Sequence, residues 1–285
     1  MAANIVTLTT DFGTSDAFVG TMKGIILGIN PDAKVVDLTH DVPRQDVRAG
    51  AYIFDSAYHY FPQGTVHVII VDPTVGTNRR PLLVRTANAT FICPDNGLLS
   101  YAFAREGGAA PDGEPFAPTV ATPPDGWTAY QLTNADYWLH PISSTFHGRD
   151  IFAPVAGHAS RGEPPGNMGV RLDEICVFPV PGPEERDGRL VGAVQHVDWY
   201  GNLITNIEAT ALPKPEENIV VEVGGHQIKG LSRTYADAPG NRDPIVLVGS
   251  HGCLEIALPY GNASEALGVG VGDRVAVPLA SQHQG

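Results

Sequence analysis

The stretch VIIVDPTVGTNRRPLLVR, residues 68–85, runs four apolar residues straight into Asp72. It then turns through Pro73 to Asn78 and returns with Arg79 and Arg80 ahead of a second apolar run. A carboxylate at the mouth of a buried strand can accept a hydrogen bond from a water molecule. An arginine across the turn can pair with it and favour its charged form. The other concentrated stretch is SSTFHGRD, residues 143–150, where His147 sits between an aromatic residue and a glycine. Histidine is the side chain that titrates nearest neutrality. Alone at such a place it is by default structural, and it gains chemical meaning if the fold brings it to Asp72 and Arg79. Together the three could activate one water as a nucleophile.

Asp72 closes a strand-like run, and so do three other polar stretches: Asp11-Phe12-Gly13, His40-Asp41 and Asp95-Asn96-Gly97. In open parallel sheets ligands bind at the carboxyl ends of strands. Each of these stretches taken singly also reads as a turn former or helix cap.

The elements that must position them follow from periodicity. IVTLTT (5–10), KVVDLTH (34–40), VHVIIV (66–71), LLVR (82–85) and TFICP (90–94) read as strands, the third nearly all apolar, as when both faces are covered. Phe18, Val19, Met22, Ile25, Ile26 and Ile29 form one helical stripe that stops at Asn30-Pro31, and residues 45–61 carry a second helical pattern. A short helix follows Gly97, and another begins near residue 146. The alternation predicts an α/β N-terminal domain with a mainly parallel sheet over residues 1–165. Residues 105–128 are rich in Pro, Gly and Ala and read as a surface excursion. Residues 166–190 are dense in Pro and Gly and read as a linker. From 191 to 285 short strands alternate with turns, predicting an all-β, sheet- or barrel-like C-terminal domain.

Composition narrows the function class. The 285 residues are 43% hydrophobic, with a formal net charge of −13. No Lys/Arg run supplies the basic face that phosphate binding needs, so no nucleic-acid partner is expected. No apolar run approaches a membrane span, and MAANIVTLTTDFG lacks the layout of a signal peptide, so the expectation is a cytoplasmic protein without a membrane partner. Cys93, Cys176 and Cys253 are scattered, with no CxxC pair, which suggests neither a disulfide framework nor a thiolate metal site. Asp11-Phe12-Gly13 lies too near the N-terminus for a kinase metal motif, and GxxxxGK[ST] and HExxH are both missing. Spacing leaves open a metal held by Asp11, Asp72 and His147; the expectation is no metal and no cofactor.

VDPTVGTNRR, STFHGRD, TTDFG, PDNG, VDWYGNLITNI and GSHGCLEIAL…GNA occur together and in family order, across roughly residues 5–278. As a set they resemble the S-adenosylmethionine hydroxide adenosyltransferase family, adenosine-forming hydrolases related to fluorinase and chlorinase. The resemblance implies S-adenosyl-L-methionine as substrate, adenosine and L-methionine as products, and a homotrimer with sites at subunit interfaces. It assigns Asp72, Arg79 and His147 to the water-activating set, which halogenating relatives replace. Asp11 then matches the carboxylate that holds the ribose hydroxyls, with Gly148 leaving room beside the 5′ carbon. Asp198 and Ser250 match groups for the methionine amine and carboxylate, and Asn202 and Ala263 match adenine contacts. Phe146 and Tyr200 supply flat apolar surfaces, and Glu255 is a further substrate contact. Thr74, Trp199 and His251-Gly252-Cys253 depart from the pattern.

On this reading His147 is the better candidate to accept the water's proton and Asp72 suits orientation, and the sequence does not separate the two roles. The alternatives are a halogenase forming 5′-chloro-5′-deoxyadenosine, a sensor module binding S-adenosylmethionine or adenosine, and a metal-dependent hydrolase.

Overall fold

The computed structural model describes residues 4–214, 219–240 and 242–279, which divide into two compact units at Val180/Pro181. In the first unit the order is β1 (Ile5–Thr10), α1 (Phe18–Ile29), β2 (Lys34–Thr39), α2 (Val47–Tyr58), β3 (Thr65–Ile70), β4 (Pro81–Arg85) and β5 (Ala89–Pro94). There follow α3 (Ser100–Arg105), β6 (Thr119–Ala121), β7 (Thr128–Leu132), α4 (Ala153–Ser160), α5 (Pro165–Met168), β8 (Gly169–Leu172) and β9 (Ile175–Val177). The seven strands β2-β1-β3-β5-β4-β7-β8 make one sheet, and β6 pairs with β9 outside it.

That sheet is mixed, which corrects the expectation of a mainly parallel one. β2-β1, β1-β3 and β3-β5 are parallel, whereas β5-β4, β4-β7 and β7-β8 are antiparallel. The reason lies in connection length. Only residues 86–88 separate β4 from β5, and parallel neighbours need a crossover of about a dozen residues or more. The 105–128 excursion contains β6. The stretch from 166 onward, read as a linker, carries β8 and β9, both paired within this first unit.

Strand alternation builds a core on each face of the sheet. Val66, Val68 and Ile70 of β3 meet Met22 and Ile26 of α1 and Val155 of α4. Ile69 and Val71 turn the other way, toward Phe54 and Tyr58 of α2. This two-residue period puts Asp72 on the Ile70 side, where the candidate site forms.

The second unit holds β10 (Glu184–Arg186), β11 (Arg189–Val197), β12 (Leu203–Glu208), β13 (Val220–Val223), β14 (His226–Lys229), β15 (Ile245–Val248), β16 (Cys253–Ala257) and β17 (Arg274–Pro278). A single sheet runs β14-β13-β17-β11-β12-β16-β15, with β10 on β11, and every pairing is antiparallel. The five-residue α6 (Ala263–Leu267) and short 3-10 turns are the helical parts among its described residues. The all-β expectation for this unit therefore holds. No described helix of the chain is long and apolar enough to cross a membrane.

Candidate active site

The turn after β3 is tied by Val75 N–H to Asp72 O (3.3 Å), Thr77 N–H to Thr74 O (3.2 Å) and Thr77 Oγ1 to Thr74 O (2.8 Å). It returns the chain so that Arg79 Nε donates to Asp72 Oδ2 at 2.8 Å, with Nη2 on the same oxygen. Nη2 also donates to His147 Nδ1 at 2.9 Å. The guanidinium thus bridges the two groups, and His147 meets the Asp72–Arg79 pair from a distant part of the sequence. The Asp72 and Arg79 side chains are only 6% and 7% exposed, so the bridge is shielded from bulk water. Arg80 points elsewhere: its Nε donates to Asp95 Oδ2 at 2.7 Å.

Gly76 is what lets this turn meet the 143–148 loop. It has φ +79°, and a Cβ there would lie 2.2 Å from the Ser144 carbonyl oxygen. The loop is held from its far side by buried Asp150, which accepts Ser143 N–H at 2.7 Å and Arg149 Nε at 2.6 Å. His147 then leads into a π-helical turn, Gly148–Phe152, that runs on into α4. Such turns recur at functional sites.

Arg79 is permanently protonated, so His147 Nδ1 must be the acceptor and the neutral ring carries its proton on Nε2. Burial, and next the Arg79 charge, push the His147 pKa below the ordinary histidine value, although Asp72, Asp150 and a hydrogen bond to the Ser143 backbone pull the other way. The geometry therefore revises the expectation that His147 accepts the proton: Arg79 already donates to Nδ1, and the other ring nitrogen carries the proton. Asp72 Oδ1, by contrast, is met among the described residues by Thr74 Oγ1 at 3.3 Å.

Asp11, Phe146 and Gly148 line a cavity of about 460 Å³ together with Asp72 and His147; Arg79 stands behind that wall. Asp11 Oδ2 accepts Gln45 N–H at 2.8 Å. Phe12, Phe18 and Phe146 pack mutually, with ring centroids 5.0–5.9 Å apart. Gly148 is tightly surrounded, because an added Cβ would meet Phe146 at 3.1 Å and Met22 Sδ at 3.3 Å. The sequence reading missed Asp16, Phe18, Arg44 and Gln45 on the same wall. Asp16, Arg44 and Gln45 belong to the loops that follow β1 and β2, and Phe18 opens α1. Asp95-Asn96-Gly97 serves structure: Asp95 takes Arg80 and Cys176 N–H (2.7 Å), and Asn96 Nδ2 holds Val71 O at 2.9 Å.

In the second unit Asp198, Tyr200, Asn202, Ser250 and Glu255 line one cavity of about 1170 Å³. Asp198 spends three acceptor positions on its own turn, taking Tyr200 N–H, Asn202 N–H and Asn202 Nδ2, each at 2.9 Å. Buried Glu255 accepts the Tyr235 hydroxyl at 2.7 Å, so Tyr235 is a further wall residue that the sequence reading missed. Ala263 lies apart from this lining, fully buried in the unit's core.

Two family models match the chain: SAM hydroxide adenosyltransferase N-terminal domain over residues 6–169, and SAM hydroxide adenosyltransferase C-terminal domain over residues 192–276. The chain is 35% identical over 276 residues to a protein of Salinispora tropica named (R)-S-adenosyl-L-methionine hydrolase, covering 95% of this chain and 97% of that one. A protein of the same name from Thermus thermophilus is 36% identical over 264 residues, with 91% and 93% covered. A fluorinase of Actinoplanes is 27% identical over 286 residues, with 89% and 90% covered. Among solved structures, an uncharacterized conserved protein from Thermotoga maritima matches with a TM-score of 0.83 at 32% identity, over 96% of this chain and 99% of that one.

Proposed function

The chain belongs to the SAM hydroxide adenosyltransferase family, and from that premise we propose that it is an enzyme hydrolysing S-adenosyl-L-methionine to adenosine and L-methionine. The observation that carries the reading is the Arg79 guanidinium spanning Asp72 and His147 at the wall of the Asp11 cavity.

The substrate is a sulfonium, so its thioether leaves as a neutral molecule without a general acid. The weak partner is water. Water attacks the ribose 5′ carbon in line; the C–O bond forms as the C–S bond breaks, and sulfur keeps the electron pair. The water's proton passes to Asp72 Oδ1 and on to solvent. Neutral His147, on the same cavity wall, donates through Nε2–H to the oxygen of the attacking water and helps turn a water lone pair toward carbon. Arg79 touches neither water nor substrate; it orients both partners. Such positioning of a nucleophile and a proton acceptor is typically worth about 10²- to 10⁴-fold from proton transfer, with more from orientation.

Asp11 takes the ribose hydroxyls, Phe146 covers an apolar face, and Gly148 leaves space at the 5′ carbon. Asp198, Tyr200, Asn202, Ser250, Glu255 and the Ala263 backbone belong to the methionine and adenine contacts. S-adenosylmethionine is substrate rather than cofactor, and the mechanism calls for no metal. The reading includes a cytoplasmic homotrimer with sites at subunit interfaces, which suits the exposure of Trp199 (93%) and Tyr260 (95%).

Chromatography of S-adenosylmethionine incubated with pure protein in chloride buffer tests the proposal. Adenosine and methionine are the expected products. 5′-Chloro-5′-deoxyadenosine would replace the reading with a halogenase, and saturable binding of intact substrate would replace it with a sensor.

A further inference from the structure

Beneath the Asp11 turn lies a polar chain that the mechanism does not use. Thr10 Oγ1 is 2.9 Å from His40 Nδ1, and His40 Nε2 lies 3.0 Å from Asp37 Oδ1 in an off-line contact. Asp37 Oδ2 in turn meets Lys23 Nζ of α1 at 2.6 Å. His40 and Thr10 are buried, at 5% and 0% exposure. The Asp37 carboxylate favours the tautomer with the proton on Nε2, leaving Nδ1 to accept from the Thr10 hydroxyl. That hydroxyl oxygen accepts Phe12 N–H at 3.2 Å.

The order hydroxyl, imidazole, carboxylate is that of a nucleophilic relay, but a sealed Thr10 can reach no substrate. The chain does something else, because it joins the two loops that shape one side of the cavity. Gly13 N–H donates to His40 O (2.8 Å) and Val42 N–H to Thr10 O (3.3 Å). Beyond them Gln45, a non-glycine residue at φ +63°, presents its N–H to Asp11 Oδ2. The pairing of β1 with β2 shifts register between Leu8 and Thr9, inserting Leu38 and carrying the chain on to place His40 beside Thr10. Such bulges re-aim side chains next to sites.

We infer that His40 is a positioning residue, holding the loops after β1 and β2 in the one arrangement that aims the Asp11 carboxylate at a vicinal diol. The inference rests on the proposed role of Asp11, and it predicts a defect in ribose recognition rather than in water activation.

The test is calorimetric binding of adenosine and of 2′,3′-dideoxyadenosine to the full chain, with the steady-state kinetics of each variant. Wild type prefers adenosine by about tenfold or more, as charge-assisted hydrogen bonds to a diol provide. His40→Leu brings the preference to within about twofold and raises KM far more than it lowers kcat. His40→Asn, whose amide can still meet Thr10, restores most of it. Thr10→Val cuts the same hydrogen bond isosterically and gives the same loss, so the result stands if His40→Leu fails to fold. In Asp11→Asn, adding Thr10→Val changes nothing further. A wild type that discriminates while both His40→Leu and Thr10→Val discriminate as well, whatever their melting temperatures, overturns this inference alone. A wild type that binds neither nucleoside overturns the hydrolase reading along with it.

Discussion

Arg79 Nη2 donates to His147 Nδ1 across 2.9 Å, and the same guanidinium holds Asp72 Oδ2 through Nε. One cation therefore sets two things at once: the tautomer of the imidazole and the rotamer of the carboxylate. A lysine has a single donor head and cannot span both in a fixed plane. Arg79→Lys is expected to lower kcat by about 10²-fold or more with KM within a few-fold, since the guanidinium stands behind the cavity wall. Steady-state kinetics on S-adenosylmethionine check this, and a rise in KM alone would place Arg79 in binding.

Protonation of His147 would set a second cation against Arg79. Since burial and that guanidinium depress its pKa, the neutral donor form persists below the ordinary histidine value of about 6.5. Activity is therefore retained as pH falls through that value and is lost only further into acid. The kcat–pH profile shows this directly. An acid limb at or above about 6.5 would return His147 to the role of proton acceptor. His147→Gln keeps an N–H donor and should retain more turnover than His147→Ala.

Asp72→Asn preserves size while replacing the acceptor charge beside Arg79. Turnover is expected to fall by about 10²- to 10⁴-fold, the usual worth of a positioned proton acceptor. Product analysis under single-turnover conditions measures the residual rate.

Gly76→Ala would combine a left-handed φ of +79° with a Cβ 2.2 Å from the Ser144 carbonyl oxygen. Backbone cannot yield as a flexible side chain can. The expected cost is about 1–3 kcal/mol in stability, seen by denaturant melts, together with lost turnover as the Asp72 turn and His147 loop part.

His67 lies among Phe54, Tyr58, Phe61 and Phe91, with Nδ1 2.7 Å from Thr7 Oγ1, and burial pushes its pKa down to about 3. The unfolded chain binds this proton first, so stability present above about pH 6.5 is lost progressively as pH falls toward 3. The loss from this group reaches at most about 5 kcal/mol. Urea melts across that range should steepen accordingly for wild type and flatten for His67→Phe.

The sequence by itself determined where polar chemistry could stand. Two-residue alternation along residues 66–71 sends Asp72 out of the sheet toward α1, and the brief gap before residue 89 dictates a hairpin, although the parallel pattern of the earlier strands hid it. It also supplied the right residue types in order, since Asp72 and Arg79 need only one turn to meet. Which ring nitrogen of His147 faces that arginine was beyond it. The answer depends on how residues 143–148 pack on the 72–79 turn at Gly76, a contact between segments some seventy residues apart. The fate of Arg80 and the sealed Thr10–His40 chain were hidden for the same reason. Hydrogen-bond direction is decided by distances of a few ångströms and by burial, which only the folded chain possesses.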